Sequence, residues 1–205
     1  MISYTYIIKQ WGMLILLSAF VVQLGVAQKI NFGAYTTSKG ISLTPSSGYL
    51  NFNDKQQIIG SNSNSTVTIA LNDNETQYIK IDGDATRDIT IIVTSPMVMI
   101  TGAGGPGNEV PFICNFAYSN IGAADAATAK SSAVVVPGGF TAITLPMLKR
   151  ASGVPAPPPT PAHGGYTAPP ATAYLFLYGK LGPVGNVNAG TYSATINVSV
   201  NYSTY

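Results

Sequence analysis

The sequence predicts an all-β protein, a sandwich of about nine or ten strands. Three observations carry that prediction. First, the C-terminal stretch alternates: Tyr192, Ala194, Ile196, Val198, Val200 and Tyr202 are separated by Thr191, Ser193, Thr195, Asn197, Ser199 and Asn201. That is the period of a long strand with one buried face. Second, charged residues make up only 9% of the 205-residue chain, against about 25% in typical soluble domains. Gly, Ser, Thr, Asn and Pro take their place, while 46% of residues remain hydrophobic and can build a core. Third, short apolar runs recur between turn formers, and no convincing helical period interrupts them.

Residues 1–27 read as an export signal. Lys9 precedes the apolar run Met13–Val22, which continues to Val26 with Gln23 as the one strongly polar break. Gly25 and Ala27 occupy the small-residue positions of a cleavage site, which would leave Gln28 as the new N-terminus. The run is short for a membrane span, so no span is expected after cleavage. Residues 28–205 are expected to form a single domain.

Lys29–Tyr35 is a short alternating segment, with Ile30, Phe32 and Ala34 on one face and Gly33 on the other. Ser38–Gly48 is rich in turn formers and is read as connection. Tyr49–Phe52 is a short strand, followed by a loop over Asp54–Asn64. Thr66–Leu71 alternates cleanly, and Gln77–Ile81 follows as a strand after the turn Asn72–Thr76. Asp82-Gly83-Asp84 is expected to turn the chain, with Asp side chains capping the turn. Asp88–Thr94 resumes as a strand until Ser95-Pro96 breaks it. Met97–Thr101 is short and ends at the glycine-rich turn Gly102–Gly107.

Val110–Tyr118 is apolar and aromatic, a core strand. Ala123–Ala129 is the only helix-compatible run, and its polar and glycine flanks limit it to about one turn. Ala133–Val136, Phe140–Leu145 and Ala173–Tyr178 are further strands. The last is apolar on both faces, so it is central or buried at an interface. Between the last two lies a Pro-rich insertion, Lys149–Thr172, with prolines at 155, 157, 158, 159, 161, 169 and 170. Proline cannot donate to a ladder, so this segment is expected as a loop, solvated or serving as a contact arm with His163 and Tyr166 near its tip.

Few residues are suited to catalysis. His163 is the only histidine and lies in the Pro/Gly-rich loop, a poor place for a fixed base. Cys114 is the only cysteine, so no intrachain disulfide forms; Ile113 and Phe116 beside it point to a small buried hydrophobe, with a redox handle or an intermolecular bridge as the alternatives. One Cys and one His make no zinc spacing. Asp82, Asp84 and Asp88 form the densest acidic cluster, but the full Ca²⁺ loop pattern is missing and Arg87 lies inside it. The formal net charge of +2 comes from scattered Lys and Arg, which excludes a nucleic-acid stripe. No cofactor, no metal and no enzymatic activity are expected.

The final strand poses the functional question. It is long and uncharged, and such a strand either sits inside a sheet or pairs with another chain. The stretch Leu177-Tyr178-Gly179-Lys180-Leu181, a Gly/Asn loop, and the run from Gly190-Thr191-Tyr192 to Tyr202 resemble the end of a bacterial exported domain family. That family groups with spore coat protein U and the pilin subunits of chaperone–usher fimbriae. Weaker echoes lie at Tyr49-Leu50-Asn51-Phe52, at Ile89–Val93 before Ser95-Pro96, and at Asn115-Phe116.

The resemblance implies an immunoglobulin-like Greek-key sandwich used as a secreted or cell-surface structural subunit of a fimbria-like filament or coat. It implies self-association by strand addition, with a periplasmic chaperone as a further partner. Ile30, Phe32, Gly33 and Ala34 would then form the donor segment, with Gly33 easing close approach. Tyr192, Ala194, Ile196, Val198, Val200 and Tyr202 would flank the receiving groove. The residues equally allow Lys29–Tyr35 to pair within its own sandwich. A second class of function is an adhesin that binds a glycan or protein through loops including 149–172, with Tyr166, Tyr174 and Tyr178 as aromatic platforms.

Overall fold

The computed structural model describes residues 28–37, 40–46, 49–55, 64–151 and 168–203. The signal-like segment, His163 and Tyr166 lie outside these residues.

Among the described residues, twelve strands form one curled sheet. In chain order they are β1 (Gln28–Thr37), β2 (Ser42–Pro45), β3 (Tyr49–Asn51), β4 (Val67–Ile69), β5 (Gln77–Asp84), β6 (Asp88–Thr94), β7 (Val98–Ile100), β8 (Glu109–Ser119), β9 (Val134–Val135), β10 (Ala142–Pro146), β11 (Pro170–Leu181) and β12 (Tyr192–Tyr202). One helix, α1 (Ala126–Ser131), lies between β8 and β9, and a 3-10 turn follows β3 at Phe52–Lys55. No helix among the described residues is long and apolar enough to cross a membrane.

The strand order is β10-β6-β12-β7-β8-β11-β5-β2. Off this path, β1 joins β12 and β3, β4 joins β11, and β9 joins β8. The curl turns at β8. Its first residues, Glu109–Pro111, pair with β7, and Phe112–Ser119 pair with β11. A strand that changes neighbours part-way along makes a corner. Two arms therefore face each other. Ile30, Ile91 and Ile196 from one arm and Ile79, Leu175 and Leu177 from the other belong to a single buried cluster. Phe52 and Phe112 meet edge-on within it, ring centroids 6.0 Å apart.

β11 explains its own two-sided hydrophobicity. Its Leu175 and Leu177 enter the main core, while Tyr174 and Phe176 point the opposite way. That second face is covered from within the chain. Ala129 of α1, with Ala117 and Ala123, packs on Tyr174 and Phe176 to make a smaller buried cluster. The sequence left open a central or an interface position, and β11 is central, between β8 and β5. Asp125 starts α1 as its N-cap: its backbone is extended, and its Oδ1 accepts the Thr128 N–H at 2.8 Å.

Three local expectations change. Ser42–Pro45, read as connection, is a strand on the edge of β5, pairing Leu43 with Ile81. Its composition is turn-like, but the ladder is supplied by β5. Asp82-Gly83-Asp84 does not turn the chain. β5 runs through Asp84, because Asp82, Gly83 and Asp84 pair with Thr172, Ala171 and Pro170. The turn comes one residue later, where the Asp84 carboxylate accepts the N–H of Thr86 at 2.9 Å. The same pairing moves the end of the Pro-rich insertion. Residues 170–172, assigned to the loop from sequence, begin β11. The architecture is all-β as expected, with twelve strands among the described residues rather than nine or ten.

Candidate assembly site

β12 lies inside the sheet. It pairs antiparallel with β6 over Asn197↔Thr94 to Tyr202↔Ile89, and parallel with β1. Tyr192, Ala194, Ile196, Val198, Val200 and Tyr202 are all buried. The intervening polar residues face out, as the pleat requires.

β1 runs along β12 from Gln28↔Tyr192 to Thr37↔Val200. Its first part is held on both sides, because Lys29, Ile30 and Asn31 also pair with Asn51, Leu50 and Tyr49 of β3. Beyond Asn31 its ladder among the described residues is with β12 alone. Within this chain, the segment anticipated as a donor therefore completes its own sheet. Ile30 is fully buried, and Phe32 packs against the core.

The register shifts between Phe32, opposite Ile196, and Tyr35, opposite Val198. Three steps along β1 match two along β12, so one residue is extra and the alternation inverts. Tyr35 thereby becomes core-packing, with its ring 6.5 Å from that of Phe32. The sequence expectation stopped at Ala34, whose side chain lies outside the description. A bulge leaves no signature in a short apolar alternation. The Tyr35 hydroxyl is buried without a hydrogen-bond partner among the described residues, and burial raises its pKa above the ordinary tyrosine value.

Gly33 sits at this bulge, and a side chain there has no room. A Cβ would collide with Thr195 Cγ2 and would lie 2.5 Å from Asn197 Oδ1. Absence of a Cβ lets the two backbones approach.

The far end of β12 is pinned to the opposite arm. The Tyr202 hydroxyl accepts the N–H of Asp84 at 2.9 Å and donates to the carbonyl of Gly40 at 3.1 Å. The Arg87 guanidinium lies over the Tyr202 ring, 3.8 Å from its centroid. An open cleft of about 440 Å³ borders these groups and is lined by Asp82, Asp84, Arg87, Pro170 and Tyr202, among others.

The acidic cluster is taken apart by its neighbours. Asp82 accepts from Thr172 at 2.6 Å and pairs with Lys80 at 3.0 Å. Asp84 caps its turn, and Asp88 pairs with Arg150. No group of three or more His, Cys, Asp or Glu among the described residues can hold a metal ion. A separate ion pair joins Lys55 to Asp73 at 2.5 Å and Glu75 at 3.3 Å. The hydrogen bond that Lys55 donates to Asp73 raises the Lys55 pKa and lowers that of Asp73. Both groups stay charged. Cys114 is partly buried on β8, and burial pushes its thiol up to about 12.

The aromatic platforms anticipated for ligand contact divide. Tyr174 is buried beneath α1 and cannot stack on a ligand. Tyr178 is half-buried, and Tyr166 lies outside the described residues. No protein-family model matches this sequence, and no curated protein matches it.

Proposed function

We propose that the chain is an exported structural subunit, a building block of a filament or coat that assembles through its N-terminal strand. The observation carrying this reading is the way β1 is held. It is terminal among the described strands, it runs along β12 from Tyr192 to Val200, and it delivers Ile30, Phe32 and Tyr35 to the core. A strand with these properties is an exchangeable part. The same backbone ladder and the same apolar contacts form if β1 comes from a neighbouring copy. Head-to-tail exchange of this kind does not close on itself, so it grows fibres.

In this reading the two arms are the layers of an immunoglobulin-like Greek-key sandwich, residues 1–27 direct export and are cleaved, and the protein works at the cell surface or outside it. The likeness of the stretch Leu175–Tyr202 to exported pilin-type domains points the same way. Gly33 is the register mark, since only a glycine passes Thr195 and Asn197 at that level.

The test is deletion of residues 28–37, followed by addition of a peptide with that sequence. The shortened chain should bind an apolar dye beside β12, lose it on peptide addition, and fail to form filaments seen by electron microscopy of the intact protein. Peptide that neither binds nor raises the melting temperature, with filaments unchanged by the deletion, removes this reading.

A further inference from the structure

We propose that the exported chain carries a pyroglutamyl N-terminus: Gln28 closes on itself to a five-membered lactam, and this uncharged cap protects the end of β1. The inference rests on the reading that residues 1–27 are removed, since only then is Gln28 terminal.

The chemistry needs nothing beyond Gln28. Cleavage after Ala27 frees the α-amine of Gln28. An α-amine is partly neutral at physiological pH, and the neutral form is the nucleophile. It attacks Cδ, the side-chain amide carbon of the same residue. A bond forms between the α-nitrogen and Cδ, and the bond from Cδ to Nε2 breaks. The side-chain nitrogen leaves as ammonia, taking the proton that the α-nitrogen gives up. No oxidant, reductant or second substrate is consumed. Both reacting groups belong to one residue, so proximity replaces a bimolecular encounter. The neighbours could not do this, because neither Ala27 nor Lys29 has a side-chain carbonyl.

The fold makes this end of the chain worth protecting. Gln28 is not the tip of a loose tail. It is the first residue of β1 and stands opposite Tyr192 in the ladder with β12. The part of β1 that is held on both sides follows at once, where Lys29, Ile30 and Asn31 pair also with Asn51, Leu50 and Tyr49. Ile30 is fully buried, opposite Ala194 on β12 and Leu50 on β3. An aminopeptidase that removed residues 28–30 would take Ile30 out of the core and leave only the Asn31 pair of the ladder with β3. A lactam has no free amine, so such an enzyme cannot begin.

The cap also suits the position electrostatically. It removes a positive charge next to Lys29, and Tyr192, the ladder partner of Gln28, is buried. A charge set against buried surface loses hydration. The Gln28 carbonyl takes no part in the ring, and the lactam keeps one N–H, so the first rung retains a donor and an acceptor. If β1 passes to a neighbouring copy, its leading end enters without an ammonium group.

Intact mass spectrometry tests the modification. The full chain, exported from a bacterial host, should yield a product with the mass of residues 28–205 less one ammonia, and Edman sequencing should give nothing. Treating the unfolded product with pyroglutamyl aminopeptidase should expose a sequence starting at Lys29. A product with the full mass of residues 28–205 and a free amine, unchanged on storage at neutral pH, overturns the proposal and leaves the export reading standing. A product that keeps residues 1–27, or starts elsewhere, overturns both, and the mass distinguishes the two failures. The protective role has its own measurement. Gln28→Ala cannot cyclise and keeps its amine. Incubated with a broad-specificity aminopeptidase, this variant should lose residues 28–30 and melt at a lower temperature, while the native chain keeps its mass and melting temperature. Equal behaviour of the two proteins overturns the role given to the cap.

Discussion

The hydroxyl of Tyr202 and the backbone N–H of Asp84 meet at 2.9 Å across 118 positions of sequence. This bond ties the last strand of one arm to the end of β5 in the other. Gly83 beside it belongs to the same arrangement, since a Cβ there would lie 2.9 Å from the hydroxyl. Tyr202→Phe removes the oxygen and leaves the Asp84 N–H and the Gly40 carbonyl short of a partner. It should lower stability by about 1–2 kcal/mol in urea titration. Equal midpoints for the two proteins would mean that water serves these groups as well as Tyr202 does.

The close passage of β1 over β12 makes Gly33 sensitive to a single methyl. Gly33→Ala should loosen β1, seen as faster hydrogen exchange over residues 28–37 and a loss of about 1–2 kcal/mol. The obstruction is partly Thr195 Cγ2. Thr195→Ser removes that methyl and should recover part of the loss in the double variant. Without such recovery, the effect of Gly33→Ala has another source.

The helix α1 makes β11 a core strand on both faces, and this has a measurable consequence. Phe176 is fully buried, whereas Tyr178, two residues on, is only half-buried. Phe176→Ala should cost about 3–5 kcal/mol in the isolated chain. Tyr178→Ala should cost clearly less. Comparable losses would show that α1 does not shield the outer face as described.

Burial moves the Cys114 thiol from 9.0 up to about 12, so the folded chain favours its neutral form. A raised folded pKa stabilises the fold fully below the unfolded value, and that contribution is lost as pH climbs toward the folded one. The window is therefore pH 9 to 12. Burial raises Tyr35, Tyr174, Tyr178 and Tyr192 in the same direction. Alkaline destabilisation is expected, and Cys114→Val should show a shallower fall of stability across that window than the native chain. At pH 8 the native thiol should react with iodoacetamide at least about 100-fold more slowly than in urea. Matching rates would place Cys114 in solvent.

The alternation of β12 was legible in the sequence, and so was the burial of Tyr192, Ile196 and Val200, because a strand writes its two faces into neighbouring residues. The start of α1 near Ala123–Ala129 could be read for the same local reason. β2 could not, since Ser42–Pro45 has little strand character of its own and is extended only by pairing with β5. The continuation of β5 through Asp82-Gly83-Asp84 likewise depends on residues 170–172, where Pro170, beside Pro169, spoke for a loop.

The chain alone determined that this protein is β, poor in charge, and closed by a long alternating strand, since composition and period are local properties. Only the tertiary structure decided where the N-terminal strand goes, that Tyr35 takes a core position through the bulge at Gly33, and that α1 rather than a partner covers Phe176. Those outcomes turn on which distant backbones pair and how closely they approach, and neither is encoded within any single stretch of residues.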